Sequence, residues 1–489
     1  MSEPFRMADA RAWSGGTLAA GPADTRCTGV SIDTRSVAAG DLFVAIRGAR
    51  HDAHAYLERA LAGGAAGLVV EKGRPWPPGA AAVLVVDDTT RALGALAAGH
   101  RAGFHGPLVA ITGSNGKTTT KEMCAAILAE GGPCLRNRGN LNNQYGLPLT
   151  LLEREGRHRS IVVEIGMNHR GEVAALAAIA RPTVGVLTNV GTAHIEFLGS
   201  REEIAREKGD LLAALPADGT AVVNADDPRA CAQAQRTGAR VLRFGAAAAA
   251  DVRAEKVADL GASGFAFALR TPWGDAAVRV AGLGETSVPN ALAAAAAALA
   301  AGARLDQVAG GLARYAPAGG RMQARRLPGG ARLIDDSYNA NPQSMEAALR
   351  SLARLRGDGR ALAVLGDMGE LGAEAVPAHR EAGALAARLG VDLLVALGEH
   401  AGEVGEGARA AGLDAARIHA GGSHEEAARL LRALLEPGDW VLVKGSRSMR
   451  MERVIEALAS GAEGDARREP QASEDRAAGR SPAKAREGG

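Results

Sequence analysis

The sequence is poor in aromatic residues, in net charge and in long apolar runs. Aromatic side chains make up 3% of the 489 residues, so the core must be built mainly from Ala, Val, Leu and Ile. The formal net charge of +2 gives no reason to expect nucleic acid or an anionic membrane as a partner. The alanine-rich stretch at residues 291–303 is shorter than the roughly 20 residues that a membrane-spanning helix needs. These features favour a soluble protein.

Cysteine is also scarce, and its spacing does not suggest metal binding. The four residues, Cys27, Cys124, Cys134 and Cys231, form no Cys-x-x-Cys pair. The chain is too long for a small disulfide-stapled module, so a reducing compartment fits. The N-terminus lacks the basic flank and apolar stretch of a secretory signal. We therefore expect a cytoplasmic protein.

The chain is long enough for about two to four domains. Strand-like and helical segments alternate, which favours parallel sheets covered by helices. We expect α/β domains over residues 1–105, 106–318 and 319–458, with Pro-Ala-Gly-Gly at 317–320 as a linker. Residues 459–489 contain no aliphatic side chain larger than alanine and carry six acidic and six basic residues. Such a segment cannot bury enough apolar surface to offset its ordering entropy, so we expect a disordered tail.

The clearest motif follows the strand-like run at residues 108–112. Residues 112–118 read Thr-Gly-Ser-Asn-Gly-Lys-Thr, and a helical run follows. A strand that enters a glycine loop and leaves through a helix directs backbone N–H groups at an anion. The motif predicts a nucleotide phosphate site, with Lys117 as a point charge and the Thr118 hydroxyl on Mg²⁺. The alternative is an ordinary glycine turn that caps a helix.

Three further side chains follow at positions that could reach this loop. Glu164 ends a strand and could approach a phosphate-bound Mg²⁺, or could simply pair with a cation. His194 follows the next strand, where a lone histidine is more often structural. Lys208 lies in a charged helical stretch, which is ordinarily a solvent-exposed face.

Polar clusters also follow strands of the second and third domains. Residues 139–146 form an amide-rich loop, which could equally be a capped turn. Carboxylates, amides and basic groups end three later strands, at residues 334–342, 364–372 and 443–448. Polar groups at the carboxyl ends of parallel strands line the crevice where ligands bind. These clusters favour a ligand cleft.

Taken in order, the motifs resemble the Mur ligase family. The loop at 112–118 has that family's shortened form, in which Ile111 stands where the general phosphate loop has its first glycine. The branch that joins D-alanyl-D-alanine to UDP-N-acetylmuramoyl-tripeptide is indicated by residues 139–143, 335–342, 365–371 and 443–447.

The resemblance implies three domains and a set of site residues. The domains are a small N-terminal α/β UDP-binding domain, a central parallel-sheet ATPase and a C-terminal Rossmann-like domain that closes over the site. ATP contacts are implied for Gly113, Ser114, Asn115, Gly116, Lys117, Thr118, Thr119, Asn290, Arg321 and Asp336. Substrate contacts are implied for Ser31, Asp33, Arg35, Asn140, Asn142, Asn143, Tyr338, Asn339, Asn341, Lys444, Ser446 and Arg447. Two Mg²⁺ sites are implied, one at Thr118 and Glu164 and one at His194 and Lys208, with Lys208 carbamylated.

The implied activity is ATP-dependent, ADP-forming peptide ligation by a monomer in peptidoglycan synthesis, and hence in cell shape and cell division. ATP would phosphorylate the tripeptide carboxylate, and the amine of D-alanyl-D-alanine would attack the acyl phosphate. Lys117, Lys208 and His194 would be the catalytic residues. Lys117 and the two Mg²⁺ ions would offset the repulsion between two anions. Three alternatives stay open: another Mur-type or folylpolyglutamate-type ligase, a phosphate-loop kinase or ATPase that forms no amide, and a nucleotide-binding scaffold.

Overall fold

The computed structural model describes residues 2–48, 50–80 and 82–465. It contains three α/β units in chain order, which confirms the expected fold class. Each unit has its own parallel or mainly parallel sheet with helices packed against it. Within the described residues, no helix is both long and apolar enough to cross a bilayer.

The N-terminal unit is a small five-stranded sheet with helices beside it. Its elements are β1 (Phe5–Arg6), α1 (Met7–Ser14), β2 (Thr17–Ala20), β3 (Arg26–Cys27), β4 (Gly29–Ser31), β5 (Asp41–Val44), α2 (Leu57–Ala62), β6 (Gly67–Glu71), β7 (Val83–Val86) and α3 (Thr89–Ala102). The strand order is β2-β7-β6-β5-β4, where β2 is antiparallel and the other pairings are parallel.

The central unit has a six-stranded, all-parallel sheet in the middle. Its elements are β8 (Leu108–Thr112), α4 (Lys117–Ala129), β9 (Cys134–Arg136), α5 (Gly146–Leu152), β10 (Ser160–Glu164), α6 (Glu172–Ala180), β11 (Val184–Leu187), α7 (Ile195–Leu198), α8 (Arg201–Ala213), β12 (Thr220–Asn224), α9 (Pro228–Gln233), β13 (Arg240–Phe244), β14 (Arg253–Asp259), β15 (Phe265–Thr271), β16 (Gly274–Val280), α10 (Ser287–Ala300) and α11 (Leu305–Arg314). The main order is β13-β12-β11-β8-β10-β9, and β14-β15-β16 form a separate antiparallel sheet.

The C-terminal unit has a second six-stranded sheet. Its elements are β17 (Gln323–Arg326), β18 (Arg332–Asp336), α12 (Pro342–Leu355), β19 (Ala361–Gly366), α13 (Ala375–Arg388), β20 (Leu393–Leu397), α14 (Ala401–Ala410), β21 (Ile418–Ala420), α15 (His424–Leu434), β22 (Trp440–Lys444) and α16 (Glu452–Asp465). The order is β17-β18-β22-β19-β20-β21, and the edge strand β17 is antiparallel.

The expected tail at 459–489 requires a correction at its start. Helix α16 continues to Asp465, so the first residues of the expected tail are helical. The apolar residues Val454, Ile455 and Leu458 anchor the preceding turns in the core and allow the helix to run on. The rest of the expectation concerns residues 466–489, which lie outside the described residues.

The alanine-rich helix α10 shows how a core with few aromatic residues is packed. Residues 291–298 are all buried, and α10 lies against α4 and the central sheet. Small side chains let these elements approach closely. Helix α11 also packs against α4, where a Cβ on Gly311 would lie 2.4 Å from the Ile127 Cα atom, so only glycine permits that contact.

The N-terminal and central units share one hydrophobic core. Leu93 and Leu96 of α3 belong to the same buried cluster as Leu151 of α5 and Leu176 of α6. The buried Arg101 guanidinium donates to the backbone oxygens that end α6, at 3.0 Å from Ala180 and 3.1 Å from Arg181. The C-terminal unit packs two further clusters on the two faces of its sheet, and one of them also contains Leu283 of the central unit.

Candidate active site

Two glycines in the loop between β8 and α4 lie so close to neighbouring side chains that no Cβ atom would fit. Gly116 precedes α4 with a left-handed φ of 79°, and a Cβ there would lie 2.2 Å from Asn290 Oδ1. A Cβ on Gly113 would lie 1.9 Å from Thr188 Oγ1. Glycine is therefore required at both positions, and the free backbone N–H groups of the first helical turn face the same cleft.

Lys117 lies folded over this loop. Its Nζ donates to the carbonyl oxygens of Gly113 at 2.9 Å and Ser114 at 3.3 Å. Burial lowers the pKa of Lys117, and the Glu164 carboxylate opposes that shift. The ammonium is thus held beside the loop, where an anion would meet both it and the backbone donors.

Glu164 ends β10 and is almost completely buried. The Thr118 hydroxyl donates to its Oε2 at 2.6 Å, and the Asn142 amide donates to its Oε1 at 2.8 Å. Asn137 fixes the backbone of Glu164 by accepting from its N–H at 2.9 Å and donating to its oxygen at 3.2 Å. Sequence reasoning missed Asn137, because nothing in the motif shows that its amide reaches a neighbouring strand.

His194 meets a carboxylate from the C-terminal unit. Its Nδ1 lies 2.6 Å from Glu370 Oε2, an ion-pair distance with an angle outside hydrogen-bond geometry. The contact with His194 lowers the pKa of Glu370. Both residues have left-handed backbones, with φ of 67° and 61°. Such strain is concentrated at functional sites in many proteins. The 364–372 cluster pointed to this loop, but Glu370 was not among the predicted site residues.

Lys208 is buried, which overturns the ordinary interpretation of its helix as a solvent-exposed face. Only 1% of Lys208 is exposed to solvent. In the part of the chain that the structure describes, its amine forms no hydrogen bond and no ion pair. Burial, reinforced by the nearby Lys117 charge, holds the pKa of Lys208 well below its ordinary value. Burial of this kind favours the uncharged amine.

A cleft of about 1020 Å³ between the central and C-terminal units gathers most of the predicted residues. Those that line it are Ser114, Asn115, Gly116, Lys117, Thr118, Thr119, Asn140, Asn142, Asn143, Glu164, His194, Asn290, Arg321, Asp336, Tyr338, Asn339, Asn341, Lys444 and Arg447. Six predicted residues that the structure describes do not line it: Ser31, Asp33, Arg35, Gly113, Lys208 and Ser446.

Three of those six lie on the N-terminal unit, on and just after β4. The Asp33 carboxylate accepts from Arg35 Nη2 at 2.6 Å, and this guanidinium lowers the pKa of Asp33 to about 2. Ser31 Oγ donates to the Asp33 backbone oxygen at 3.0 Å. They form a compact turn. Ser446 follows β22 in the C-terminal unit, and its backbone N–H donates to the backbone oxygen of Asp367.

Lys444 and Asp336, two predicted ligand-binding residues of the C-terminal unit, form an ion pair with each other. Lys444 Nζ lies 2.5 Å from Asp336 Oδ2 and donates to the Asn339 oxygen at 2.9 Å. The Met322 N–H donates to Asp336 Oδ1 at 3.1 Å. Both carboxylate oxygens of Asp336 are therefore engaged, one of them on the segment that links the central and C-terminal units.

Arginine and tyrosine side chains occupy the same wall of the cleft. The Arg321 and Arg447 guanidinium carbons lie 4.0 and 5.7 Å from the centre of the Tyr338 ring. Thr120 Oγ1 donates to Asn290 Oδ1 at 3.4 Å behind the glycine loop. The wall thus presents two cations and an aromatic surface to the cleft.

No group of three or more His, Cys, Asp or Glu side chains in the described ranges is arranged to hold a metal ion. The Thr118 and Glu164 oxygens are nevertheless hard donors of the type that Mg²⁺ binds, with phosphate oxygens and water completing its shell. They fit that ion. An unmodified Lys208 amine does not.

Comparison with known proteins identifies one family along the chain. Family models match residues 26–101 (Mur ligase family, catalytic domain), 111–298 (Mur ligase middle domain) and 320–447 (Mur ligase, glutamate ligase domain). The UDP-N-acetylmuramoyl-tripeptide–D-alanyl-D-alanine ligase of Escherichia coli (strain K12) is 38% identical over 444 residues, covering 89% of this chain and 94% of its own. The enzyme of that name from Mycobacterium tuberculosis (strain H37Rv) is 40% identical over 477 residues, covering 89% and 93%.

Solved structures give the same match. A crystal structure of MurF from Acinetobacter baumannii has a TM-score of 0.86 and 34% identity, covering 94% of this chain and 99% of its own. MurF ligase from Thermotoga maritima in complex with ADP has a TM-score of 0.77 and 28% identity, covering 89% and 98%.

Proposed function

The chain belongs to the Mur ligase family, and we propose from that premise that it joins D-alanyl-D-alanine to UDP-N-acetylmuramoyl-tripeptide with cleavage of ATP to ADP. The observation that carries this proposal is the cleft in which a phosphate loop faces basic, amide and aromatic groups of a second sheet. A relative of that specificity covers nearly the whole chain at 38% identity. The reaction supplies a precursor of peptidoglycan.

The chemistry follows from the weakness of a carboxylate as an electrophile. A carboxylate oxygen of the tripeptide attacks the γ-phosphorus of ATP, the bond to the bridging oxygen breaks, and ADP leaves. The amine of D-alanyl-D-alanine then attacks the carbonyl carbon of the acyl phosphate, phosphate leaves, and the amine proton passes to a base or to water. Closure of the cleft protects the acyl phosphate from hydrolysis.

The chain's own groups supply positioning and positive charge. Lys117 and the loop N–H groups hold the β- and γ-phosphates, and Arg321 approaches from the opposite unit. Asn290 holds the adenine, and Asp336 contacts the ribose after a change in its present pairing. Ser31, Asp33 and Arg35 hold the uridine diphosphate end on the N-terminal unit.

The remaining predicted groups hold the peptide end of the substrates. Those that line the cleft are Asn140, Asn142, Asn143, Tyr338, Asn339, Lys444 and Arg447. Ser446 does not line it, and its substrate contact stays a prediction. Asn142 also donates to Glu164, which supports a location for the tripeptide carboxylate near the phosphate loop. The UDP-linked substrate and ATP belong to the cytoplasmic nucleotide pool, so the cytoplasm is the location we propose.

Thr118 and Glu164 would hold the Mg²⁺ that accompanies ATP, and their oxygens fit that ion. When bound, Mg²⁺ neutralises phosphate charge as it develops. A second Mg²⁺ at His194 and Lys208 requires Lys208 to carry an anionic oxygen. The neutral amine would attack the carbon of CO₂, form an N–C bond and release one proton to give a carbamate. The buried, unpaired and pKa-lowered amine of Lys208 supports this modification.

The carbamate has a direct test. We expect ¹³C-labelled bicarbonate to give a carbamate carbon resonance in the wild type that Lys208→Ala lacks, and we expect acetate to restore part of the Lys208→Ala activity. A wild type without the resonance, or a Lys208→Ala variant with full activity, would contradict the carbamate.

A panel of acceptors tests the ligase function. With ATP and the UDP-tripeptide present, we expect D-alanyl-D-alanine to give stoichiometric phosphate and amide, and single amino acids to give little of either. Release of phosphate with a single amino acid in preference to the dipeptide would indicate another amide ligase. Consumption of ATP without an amide would indicate a kinase or ATPase.

A further inference from the structure

Asn341 occupies the junction between the two walls of the cleft. It precedes α12 of the C-terminal unit, where its Oδ1 accepts from the Ser344 N–H at 2.9 Å. Its backbone N–H donates to Ser344 Oγ at 3.0 Å, which completes a capping box. The remaining polar atom of its side chain, Nδ2, donates to Asn115 Oδ1 in the glycine loop at 2.8 Å.

Asn115 is fixed from the other side of the cleft. Its N–H donates to Asn189 Oδ1 at 2.9 Å, and its backbone oxygen accepts from Thr188 Oγ1 at 2.7 Å. The bond between Asn341 and Asn115 therefore joins two groups that are each held by their own unit. Such a bond forms at one separation of the units and breaks when they part.

A second contact lies two residues further along the chain. Gln343 Oε1 accepts from the Thr192 hydroxyl at 3.1 Å, in the segment that follows β11. The first turn of α12 thus docks on the glycine loop and on the neighbouring strand end together. Asn341 itself is 8% exposed.

We propose that Asn341 is a positioning residue that couples closure of the C-terminal unit to the phosphate loop, instead of the substrate contact that its motif implies. The inference rests on the proposed ligase function. Its bond to Asn115 holds α12 against the loop while the acyl phosphate waits for the amine. When that bond is absent, the open cleft admits water, whose oxygen attacks the carbonyl carbon, so phosphate is released and no amide forms.

Three variants separate closure from helix stability. Asn341→Ser keeps an N-cap, since Ser and Asn cap equally well, but its side chain is too short to reach Asn115. Asn341→Ala removes both the cap and the bond. Ser423→Ala removes the cap of α15, where Ser423 Oγ accepts from the Glu426 N–H at 3.2 Å on another helix of the same unit.

The experiment measures phosphate released per amide formed, the KM for D-alanyl-D-alanine, and Tm. We expect Asn341→Ser and Asn341→Ala to raise that KM about fivefold, the factor that one neutral hydrogen bond contributes to an equilibrium. Both should also release more than one phosphate per amide. Asn341→Ala and Ser423→Ala should lower Tm, while Asn341→Ser keeps it.

Two outcomes would overturn the inference. One is an Asn341→Ser variant with the wild-type KM and the wild-type ratio of phosphate to amide. The other is a Ser423→Ala variant that releases as much excess phosphate as the Asn341 variants, which would make the effect one of stability. Failure of the proposed function is distinct, because in that case the wild-type protein itself would form no amide.

Discussion

The central unit meets its two neighbours in opposite ways. Against the N-terminal unit it buries a continuous apolar core that includes Leu96 and Leu151. Against the C-terminal unit its contacts are mainly polar and lie around the cleft, such as those of Asn341 with Asn115 and of Glu370 with His194. Burial of a leucine is worth about 1.5–3 kcal/mol, whereas one neutral hydrogen bond contributes about 1 kcal/mol net.

This difference assigns distinct tasks to the two junctions. The first joins the units that carry the turn at residues 31–35 and the phosphate loop, so it holds the two proposed substrate sites at a fixed separation. The second is built from contacts that are individually weak, so it suits repeated opening and closure. The strained backbones of His194 and Glu370 lie at this second junction.

The largest expected effect is a loss of catalytic rate at the cleft with little change in stability. Lys117→Met removes the ammonium that we propose to bind the phosphates, and we expect kcat to fall by about 10²–10³-fold. Tm should change little, because the cost of burying the charged amine offsets the two hydrogen bonds that it donates. Steady-state kinetics and calorimetry check both, with the exposed Lys256→Met as the control. A Lys117→Met variant with wild-type kcat would remove this lysine from the mechanism.

The next effect tests the shared core. Leu96→Ala should lower the free energy of unfolding of the N-terminal and central units by about 2–5 kcal/mol, because it opens a cavity between them. Leu352→Ala, in the core of the C-terminal unit, is the matched control. Hydrogen exchange resolved along the chain should show Leu96→Ala loosening both first units and Leu352→Ala loosening the third. Loosening of the N-terminal unit alone would contradict a common core.

A smaller effect is expected at the polar junction. Gln343→Ala removes the acceptor of the Thr192 hydroxyl and should weaken closure by about 0.5–1.5 kcal/mol. The KM for D-alanyl-D-alanine should rise while Tm stays constant. A fall in Tm as large as that of Leu96→Ala would show that the two junctions are alike.

The smallest expected effect is on how stability depends on pH at the junction of the N-terminal and central units. His100 faces the Leu151 oxygen at 3.2 Å and the Glu3 oxygen at 3.0 Å, and burial lowers its pKa below 6.5. The unfolded chain then binds a proton first as pH falls, so the contribution of His100 to stability is present above about pH 6.5 and is lost below it. We expect Tm to fall from pH 7.5 to 5.5 less steeply in His100→Gln than in the wild type. Equal slopes would exclude this contribution.

The sequence was sufficient to predict what depends on neighbours along the chain. The strand, glycine loop and helix around Lys117 follow from local pattern, and so does the alternation of strands and helices. It was not sufficient where a contact joins distant segments. The charged pattern around Lys208 predicts exposure, but packing in the central unit buries its amine.

The same limit applies to the partners of the site residues. Asn137 and Gln343 have ordinary local surroundings, and their roles come from strands and units brought together by the fold. Glu370 lies in a cluster that the pattern did single out, yet its contact with His194 depends on how two units meet. The start of the tail also differed, because Val454, Ile455 and Leu458 anchor the last helix, which continues to Asp465.

The central claim is that an acyl phosphate formed in this cleft is converted to an amide. The most direct measurement uses UDP-tripeptide labelled with ¹⁸O in its terminal carboxylate, together with ATP and D-alanyl-D-alanine, and analyses both products by mass spectrometry. The account predicts the UDP-pentapeptide and one ¹⁸O atom in each phosphate released. Unlabelled phosphate, or the absence of the pentapeptide, would contradict it.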